Sequence, residues 1–335
     1  MKRVLHIGVG PLGQRIISEL HERSLGHVIA AVDTSPHLAG KQLTEFVPTA
    51  DPKVRIVPSL DAVHDWDHID IAIVTTSSGL PACASTFEAL LRRGKAVVST
   101  CEELVYPWLR HVAIAEELDE LAKRHGGRLL GTGVNPGFLM DALPAMLTCV
   151  CRHVKAVSCH RIQDASSRRI PFQKKIGAGL DDTQFAAKVA EGSLRHVGLG
   201  ESLHFIAHYV GLPMDRWEEN IEPVKADHDL VCGLGPIPKG KCAGVRQVAR
   251  GYFDERIVVN LEFQAAIGQR DPHDRVTIHG EPDIDVVIPG GVHGDIATSA
   301  IVANSLARLL QAPPGLHTMA TIAPPIHMRA GIERR

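Results

Sequence analysis

Residues 2–33 read KRVLHIGVGPLGQRIISELHERSLGHVIAAVD, the most informative stretch of the chain. An apolar run of strand length enters a glycine-rich turn, and an amphipathic segment follows it. A second apolar run then ends on an acid, Asp33, twenty residues after the last glycine of the turn. The glycines have the spacing G-x-G-x-x-G. In this order of elements, the pattern is typical of a dinucleotide-binding βαβ unit.

Each glycine of the turn has a separate physical role. Gly8 allows the tight turn, Gly10 lets the backbone approach a pyrophosphate, and Gly13 permits close packing of strand and helix. The helix that follows starts near Leu12, and Pro11 and Leu12 join the three glycines as candidates for cofactor binding. We expect the exposed N–H groups and the positive end of this helix to bind the pyrophosphate.

Asp33 bears on which nicotinamide cofactor is used. A carboxylate at the end of the second strand can accept hydrogen bonds from the ribose hydroxyls and would repel a 2′-phosphate. Thr34 follows it, residues 34–37 contain no arginine, and Lys41 is the nearest permanent cation downstream. The sequence therefore favours NAD. It leaves NADP open, because hydroxyl groups and Lys41 could accommodate a phosphate.

Bulk properties exclude several classes of protein. A length of 335 residues favours two domains, and a formal charge of −2 gives no case for a nucleic-acid or anionic-membrane partner. No run approaches the roughly 18 uncharged apolar residues that span a bilayer. The 7 cysteines are scattered without a C-x-x-C pair, and the 19 histidines form no H-E-x-x-H motif. We expect a cytoplasmic protein with reduced thiols and no metal site.

The first 133 residues alternate strand-like and helix-like segments, which predicts a doubly wound parallel sheet of the Rossmann type. The further strands are expected at 54–57, 69–74, 96–98 and 128–130, and the further helices near 59–64, 80–92 and 107–125.

From residue 134 onward, adjacent strand-like segments predict a mixed or antiparallel sheet in an α+β domain. These segments are 154–163, 245–252, 256–266, 275–279 and 283–287, with helical stretches at 182–191 and 200–210. An apolar segment at 295–310 predicts a buried helix that returns to the first domain. The expected domains are therefore 1–133 completed by 294–335, and 134–293. The mixed sheet is a natural dimerisation surface, so we expect a homodimer.

Three polar loops follow the fourth, fifth and sixth strands, and ligands of such folds bind beyond the carboxyl ends of parallel strands. These loops supply further candidates for cofactor binding: Thr75, Thr76, Ser77, Thr100, Cys101 and Asn135. Glu102 and Glu103 are the acids at these strand ends. A carboxylate beside a nicotinamide can accept a proton or hold an ammonium or iminium cation. We expect the catalytic role for Glu102, with Glu103 as the second candidate. The alternative for one of them is an acid that favours the local helix dipole.

Four sequence blocks in order resemble the 2,4-diaminopentanoate dehydrogenase and native amine dehydrogenase family, which is related in fold to dihydrodipicolinate reductase. The match continues to the segment APPGL at 312–316. The blocks are STCEEL at 99–104, GTGVNPGFLMD at 131–141, HVGLGES at 196–202 and PGGVHGDIAT at 289–298.

The resemblance implies NAD(P)-dependent interconversion of a primary amine with a ketone or aldehyde plus ammonia. It carries the catalytic role onto Glu102 and needs no metal. The candidates for substrate binding are Asn135, Phe138, Arg161, Gln163 and His196. Arg161 could bind a substrate carboxylate bidentately, which suits a short oxo acid, or it could be a solvated sheet residue paired with an acid. His196 could contact the substrate or form a hydrogen bond at the start of a helix.

Two other functions remain as alternatives. A relative of dihydrodipicolinate reductase would reduce an imine or enone without ammonia, but the chain lacks the H-H-x-x-K-x-D-x-P-S-G-T-like block of that family. A non-catalytic NAD(P) sensor would keep the glycine loop and lose the acids, and Glu102 and Glu103 are both present. The sequence leaves open the exact amine or ketone, the choice between NAD and NADP, and the direction of the reaction in the cell.

Overall fold

A computed structural model describes residues 1–328 of the chain. It forms two compact units. The first comprises Met1–Phe138 and the segment from His293 onward, and the second comprises Leu139–Val292. The first boundary therefore lies at 138, where the sequence analysis expected 133, and the return to the first unit begins at 293.

The strands are β1 (Lys2–Ile7), β2 (Gly26–Val32), β3 (Ile56–Val57), β4 (Ile71–Val74), β5 (Ala96–Ser99), β6 (Arg128–Gly131), β7 (His153–Asp164), β8 (Arg216–Lys225), β9 (Leu230–Cys232), β10 (Gly235–Ile237), β11 (Cys242–Phe253), β12 (Arg256–Ala266), β13 (His273–Glu281), β14 (Ile284–Pro289) and β15 (Gly315–His317). The α-helices are α1 (Pro11–Glu22), α2 (Leu80–Leu91), α3 (Val112–His125), α4 (Ala142–Leu147), α5 (Ile170–Lys175), α6 (Asp182–Ala190), α7 (Leu199–Val210) and α8 (Gly294–Gln311).

The first unit contains a parallel sheet with the strand order β15-β6-β5-β4-β1-β2-β3. β4 is buried along its whole length, as expected of a parallel strand that is covered on both faces. α1 buries Ile16, Ile17 and Leu20 at helical spacing and packs against α8, while α2 packs against α3. The predicted Rossmann sheet is confirmed.

The second unit contains a mixed sheet with the strand order β14-β13-β7-β12-β11-β8, in which β7 and β12 are parallel and the other neighbours antiparallel. α7 packs against β11 and β12 and covers one face. Along β7, alternate side chains from Val157 to Gln163 are buried, whereas Ser158, His160 and Ile162 are half-buried on the opposite face. The predicted second domain with a mixed sheet is confirmed.

Several elements differ from the sequence prediction. β8 was not predicted, because it is an edge strand in which Glu and Asn alternate with Trp, Ile and Pro223, so half of it is exposed. β15, α4 and α5 were missed because each spans only 3 to 6 residues. The helix expected near 59–64 is only the 3₁₀ turn Leu60–Ala62.

Two predicted helices are corrected in detail. The segment 107–125 divides into a 3₁₀ turn, Pro107–Leu109, and α3, with His111 outside both. α8 is buried along one side, at Ser299, Val302, Leu306 and Leu309, rather than all round, and Ile296 is 53% exposed. No helix among residues 1–328 combines the length and the apolar composition that crossing a bilayer requires.

Candidate active site at the ends of the parallel strands

The glycine loop between β1 and α1 is tightly packed except at Gly10. A Cβ atom on Gly13 would lie 2.1 Å from the Gly8 carbonyl oxygen, and one on Gly8, where φ is +92°, would lie 2.7 Å from the Thr75 carbonyl oxygen. A Cβ atom on Gly10 would meet no heavy atom within 4 Å among the described residues. The loop is therefore open at Gly10, the position at which a pyrophosphate approaches the backbone in this type of fold.

The start of α1 adjoins this opening. Gly10 is the N-cap residue, Pro11 begins the helix, and no acid occupies its first turn. The amino-terminal N–H groups of a helix carry partial positive charge, so this end of α1 suits an anionic ligand. The residues present fit the pyrophosphate of a dinucleotide.

Asp33 lies at the carboxyl end of β2, and its carboxylate is oriented by two backbone donors. Oδ2 accepts a hydrogen bond from Val9 N at 2.7 Å, and Oδ1 accepts one from Ser35 N at 2.8 Å. A carboxylate has about four lone-pair positions, so it can still accept bonds from ribose hydroxyls. Thr34, also a cofactor candidate, is exposed beside it.

The loop after β4 separates two roles among its hydroxyl residues. The Thr75 hydroxyl donates to the Gly8 carbonyl oxygen at 2.7 Å and so stabilises the glycine loop. Ser77 accepts a hydrogen bond from Gly79 N at 3.3 Å, just before α2 begins. Thr76 is exposed. Thr75 and Ser77 therefore shape the loop, whereas Thr76 is accessible to a ligand.

The loop after β5 is anchored to β4 and then turns sharply. Thr100 N donates to the Val74 carbonyl oxygen at 3.1 Å, and Cys101 N donates to the Ser99 hydroxyl at 3.0 Å. A 3₁₀ turn, Glu102–Val105, follows directly. A Cβ atom on Gly131 of β6 would lie 2.6 Å from the Leu104 carbonyl carbon. Only glycine at this position lets the end of β6 pack against the turn that carries both acids.

Glu103 connects three segments of the first unit. Its Oε2 accepts a hydrogen bond from Leu80 N, at the start of α2, at 2.8 Å and lies 2.9 Å from His111 Nε2. Its own N–H donates to the Ser78 carbonyl oxygen at 3.1 Å. The carboxylate thus occupies the positive end of α2, which is the alternative that the sequence left open for one of the two acids.

Glu102 precedes Glu103 in the same turn, at the carboxyl end of β5, and its Oε2 atom is shielded from solvent. The acid that the sequence favoured for catalysis is therefore at the sheet edge that also carries the glycine loop and Asp33. Its catalytic role remains a prediction.

The loop after β6 is held by its own backbone and by α8. Val134 N donates to the Thr298 hydroxyl at 3.2 Å. A Cβ atom on Gly137, where φ is +123°, would lie 2.3 Å from Gly133 N. Asn135 and Phe138 are half-buried in this loop. Thr298 belongs to the last block of the family resemblance but was absent from the candidates, because its position against this loop depends on the tertiary fold.

Arg161 of the second unit forms a buried ion pair. Its Nη1 lies 2.7 Å from Asp274 Oδ1 and its Nη2 donates to the Val292 carbonyl oxygen at 3.0 Å, while the residue is only 3% exposed. Asp274 Oδ2 accepts from Val292 N at 2.7 Å, and Gln163 Nε2 lies 3.4 Å from the Val292 carbonyl oxygen. Burial lowers the pKa of Arg161, and Asp274 opposes that effect. Arg161 is paired with an acid, as one alternative predicted, but the expectation that it is solvated was wrong.

His196 lies on the covered side of the same sheet. Its backbone N–H donates to Gln247 Oε1 at 2.7 Å, and its ring stacks on Phe263 with the centroids 4.3 Å apart. Burial lowers the pKa of His196 to about 3, and the positive charges of Lys175 and Arg161 act in the same direction. The ring is therefore neutral in a region of positive charge. Whether it contacts substrate remains a prediction.

A buried polar cluster of the second unit was also missed. Asp141 caps α4 through Ala142 N at 2.6 Å, and its Oδ2 accepts a hydrogen bond from the Ser202 hydroxyl at 2.9 Å. Glu201 is 1% exposed. Both carboxylates occur in blocks of the family resemblance, but only the fold brings α4 and α7 together. Among residues 1–328, no group of three or more His, Cys, Asp or Glu side chains could hold a metal ion.

Comparison with known proteins agrees with these features. Residues 138–334 match the 2,4-diaminopentanoate dehydrogenase C-terminal domain. Residues 2–132 match an oxidoreductase family with an NAD-binding Rossmann fold. The family resemblance predicted from the sequence blocks is confirmed.

Individual relatives extend over most of the chain. A 2,4-diaminopentanoate dehydrogenase of Acetoanaerobium sticklandii is 28% identical over 331 residues, which cover 96% of this chain and 94% of that protein. An amine dehydrogenase of Streptomyces virginiae is 22% identical over 252 residues, which cover 68% of this chain and 69% of that protein. Among solved structures, an amine dehydrogenase from Mycobacterium smegmatis has the same fold, with a TM-score of 0.84, 21% identity and 97% of each chain covered.

Proposed function

The chain belongs to the 2,4-diaminopentanoate dehydrogenase C-terminal domain family, and we propose that it aminates small ketones or aldehydes with ammonia and NAD(P)H. The reverse reaction is the oxidative deamination of primary amines. The chain is an NAD(P)-binding oxidoreductase of the amine and diaminopentanoate dehydrogenase type. The proposal of an ammonia-dependent reaction rests on the two acids after β5, Glu102 and Glu103, because these two carboxylates have different surroundings.

Glu103 already accepts from the start of α2 and lies against His111. A proton-transfer role there would require this carboxylate to give up the charge that stabilises α2. We therefore assign the proton transfer to Glu102, which lies in the same turn at the same strand end. A carboxylate at this position can orient ammonia, accept a proton from the attacking nitrogen at a carboxylate oxygen and stabilise an iminium cation.

The cofactor, when bound, supplies the hydride that reduces the substrate carbon. Gly10 and the first turn of α1 would hold its pyrophosphate, and Asp33 would accept hydrogen bonds from a ribose. Because Asp33 is held by Val9 N and Ser35 N, its charge stays at the end of β2. This arrangement supports NAD as the preferred cofactor, since the same charge opposes a 2′-phosphate.

The substrate range is proposed to include neutral ketones and aldehydes as well as short oxo acids. Asn135, Phe138, Gln163 and His196 remain the candidates that would contact substrate. A carboxylate ligand role for Arg161 would require its guanidinium to bind substrate while it keeps Asp274, because the pair is buried. The case for an oxo acid is therefore weaker than the case for a small ketone.

We further propose that the chain forms a homodimer through the face of the second-unit sheet opposite α7. His160, Arg246 and Glu262 are half-buried on this face, and Arg246 pairs with Glu262 at 2.7 Å. Paired charges of this kind give an interface specificity and register. Sedimentation equilibrium measures the mass directly: a mass of two chains supports the proposal, and a single chain contradicts it.

The activity is tested by following the absorbance of NADH or NADPH with short ketones, aldehydes and 4-oxopentanoate, each with and without ammonium. Loss of absorbance that requires ammonium is the expected result, and the panel then ranks the substrates. Loss without ammonium would instead indicate a carbonyl, imine or enone reductase. Tight cofactor binding without turnover of any substrate would indicate a sensor.

A further inference from the structure

Two cysteines of the first unit meet beside the turn that carries Glu102. Cys83 lies in the first turn of α2, and Cys101 directly precedes Glu102, 18 residues later in the chain. Their thiols form a hydrogen bond with each other, although the two residues belong to different elements. The proposed mechanism gives neither sulfur a chemical step.

Both thiols are oriented by the same loop. Cys83 Sγ donates to the Ser77 carbonyl oxygen at 3.6 Å, and Cys101 Sγ donates to the Ser78 carbonyl oxygen at 3.3 Å. Because these carbonyls belong to consecutive residues, both sulfur atoms are held against the same short stretch of backbone. Each cysteine is only 1% exposed, so neighbouring atoms restrict both side chains.

The surroundings activate one thiol of the pair. The hydrogen bond from Cys101 stabilises the Cys83 thiolate and, with one that the Thr76 hydroxyl donates, lowers the pKa of Cys83 to about 6. The first turn of a helix favours an anion in the same sense. The pKa of the Cys101 thiol is raised, because this thiol faces the Cys83 sulfur in a buried position. The Cys83 sulfur is thus suited to attack an oxidant as a thiolate. Cys101 remains a thiol that can then attack the oxidised Cys83 sulfur.

A small oxidant has a short path to this pair. Thr76 Oγ1 lies 3.6 Å from Cys83 Sγ, and Thr76 is exposed. Pro81 and Ala82, in the same turn of α2 as Cys83, are exposed as well. Hydrogen peroxide, which is little larger than water, therefore needs only a local movement of the Thr76 side chain to reach Cys83.

We propose that Cys83 and Cys101 form a reversible dithiol–disulfide site that hydrogen peroxide oxidises. The Cys83 thiolate attacks a peroxide oxygen, the O–O bond breaks, and a sulfenic acid and water form after one proton is taken up. The Cys101 thiol then attacks the sulfenic sulfur, which forms the S–S bond and releases a second water. Both sulfurs are oxidised by one electron each, and the two peroxide oxygens are reduced to water.

The same chain offers a matched control for this chemistry. Cys149 is an exposed cysteine, and the fold gives it no thiol partner among the interactions described for residues 1–328. Cys242 is buried, and burial raises its pKa to about 11. Exposure alone would favour oxidation of Cys149, whereas pairing favours Cys83 and Cys101.

The test uses the full chain, reduced, freed of thiol reagents and treated with hydrogen peroxide in small molar excess. Remaining thiols are alkylated, and proteolysis without reductant is followed by mass spectrometry. We expect a peptide pair joined through Cys83 and Cys101 that has lost two hydrogen atoms and that dithiothreitol separates. This readout is a covalent bond, so it is independent of whether the chain is an amine dehydrogenase.

Variants make the outcome specific. Cys149→Ser should leave the cross-link intact, whereas Cys83→Ser should abolish it and leave Cys101 fully alkylatable, with circular dichroism confirming that each variant is folded. If Cys83→Ser does not fold, the presence or absence of the Cys83–Cys101 cross-link in the wild-type protein still tests the proposal. Irreversible oxidation of Cys83 alone, or oxidation of Cys149 while the pair stays alkylatable, would overturn the proposal.

Discussion

The strand ends of the first unit and the covered face of the second-unit sheet both carry polar residues that the sequence marks as functional. At the strand ends, Asp33 and Thr75 bind backbone groups nearby and shape loops that stay open at Gly10. On the covered face, the Arg161 guanidinium forms an ion pair with Asp274, which lies 113 residues away in the sequence. A parallel sheet thus gathers polar loops at one edge, whereas a covered sheet face requires its charges to neutralise one another.

The two glutamates after β5 repeat this contrast over a distance of one residue. Glu103 is part of the packing of α2, and Glu102 is the acid to which the chemistry is assigned. Position at a strand end therefore marks a region as functional, but it does not separate the residue that reacts from the residue that supports it.

The largest effect is expected for Glu102→Gln, which removes the proton acceptor while it preserves the shape of the side chain. Ammonium-dependent turnover should fall by about 10²–10⁴-fold, the usual contribution of a positioned acid or base. The affinity for NADH, measured by nicotinamide fluorescence, should stay unchanged. Glu103→Gln is the matched control, because its amide oxygen can still accept from Leu80 N. Loss of turnover in Glu103→Gln alone would exchange the two roles.

Next in size is Arg161→Met, which leaves the Asp274 carboxylate buried without its partner. The free energy of unfolding in urea should fall by about 3–5 kcal/mol. The control is Arg275→Met on the neighbouring strand, since the Arg275–Asp285 pair is 45% exposed on each side and solvent screening leaves it little effect on stability.

A double variant, Arg161→Met with Asp274→Leu, should recover most of the stability that Arg161→Met loses, because it removes both charges. Unchanged stability in Arg161→Met, together with a selective loss of oxo-acid turnover, would show that Arg161 serves the substrate rather than the fold.

Substitution within the glycine loop should separate binding from folding. Gly10→Ala should weaken NADH binding by about tenfold, or 1.4 kcal/mol, because the added methyl group enters the opening, with stability unchanged within about 0.5 kcal/mol. Gly13→Ala should impair folding, since its Cβ would lie 2.1 Å from the Gly8 carbonyl oxygen. Unaltered cofactor affinity in a folded Gly10→Ala protein would mean that the pyrophosphate does not approach this residue.

A separate effect concerns the pH dependence of stability. Burial lowers the pKa of His6 from 6.5 to about 3, so the folded chain keeps this ring neutral while the unfolded chain protonates it. The contribution of the neutral His6 ring to the free energy of unfolding is fully present above pH 6.5. It is lost as the pH falls toward about 3, by at most about 1.4 kcal/mol per pH unit. The free energy of unfolding in urea, measured between roughly pH 6 and pH 4, should depend less steeply on pH in His6→Leu than in the wild type. Equal slopes would contradict the assignment.

The sequence by itself determined the Rossmann fold and the location of the candidate site. The turn from Gly8 to Gly13, the acid at Asp33 and the polar residues after β4 and β5 are local patterns, because the neighbouring residues in the chain supply their geometry. The amphipathic pattern after the turn likewise indicated a helix, and the structure shows that α1 buries Ile16, Ile17 and Leu20. Such features follow from backbone periodicity and glycine conformation, which act over a few residues.

Only the tertiary structure decided which polar groups are engaged. Glu103 could be separated from Glu102 only once α2 and His111 were in place, and Arg161 was defined by its pairing with Asp274. β8 was hidden for a related reason, because an edge strand with one exposed face has a largely charged sequence. These outcomes depend on contacts between segments far apart in the chain, where burial forces each charge to find a partner.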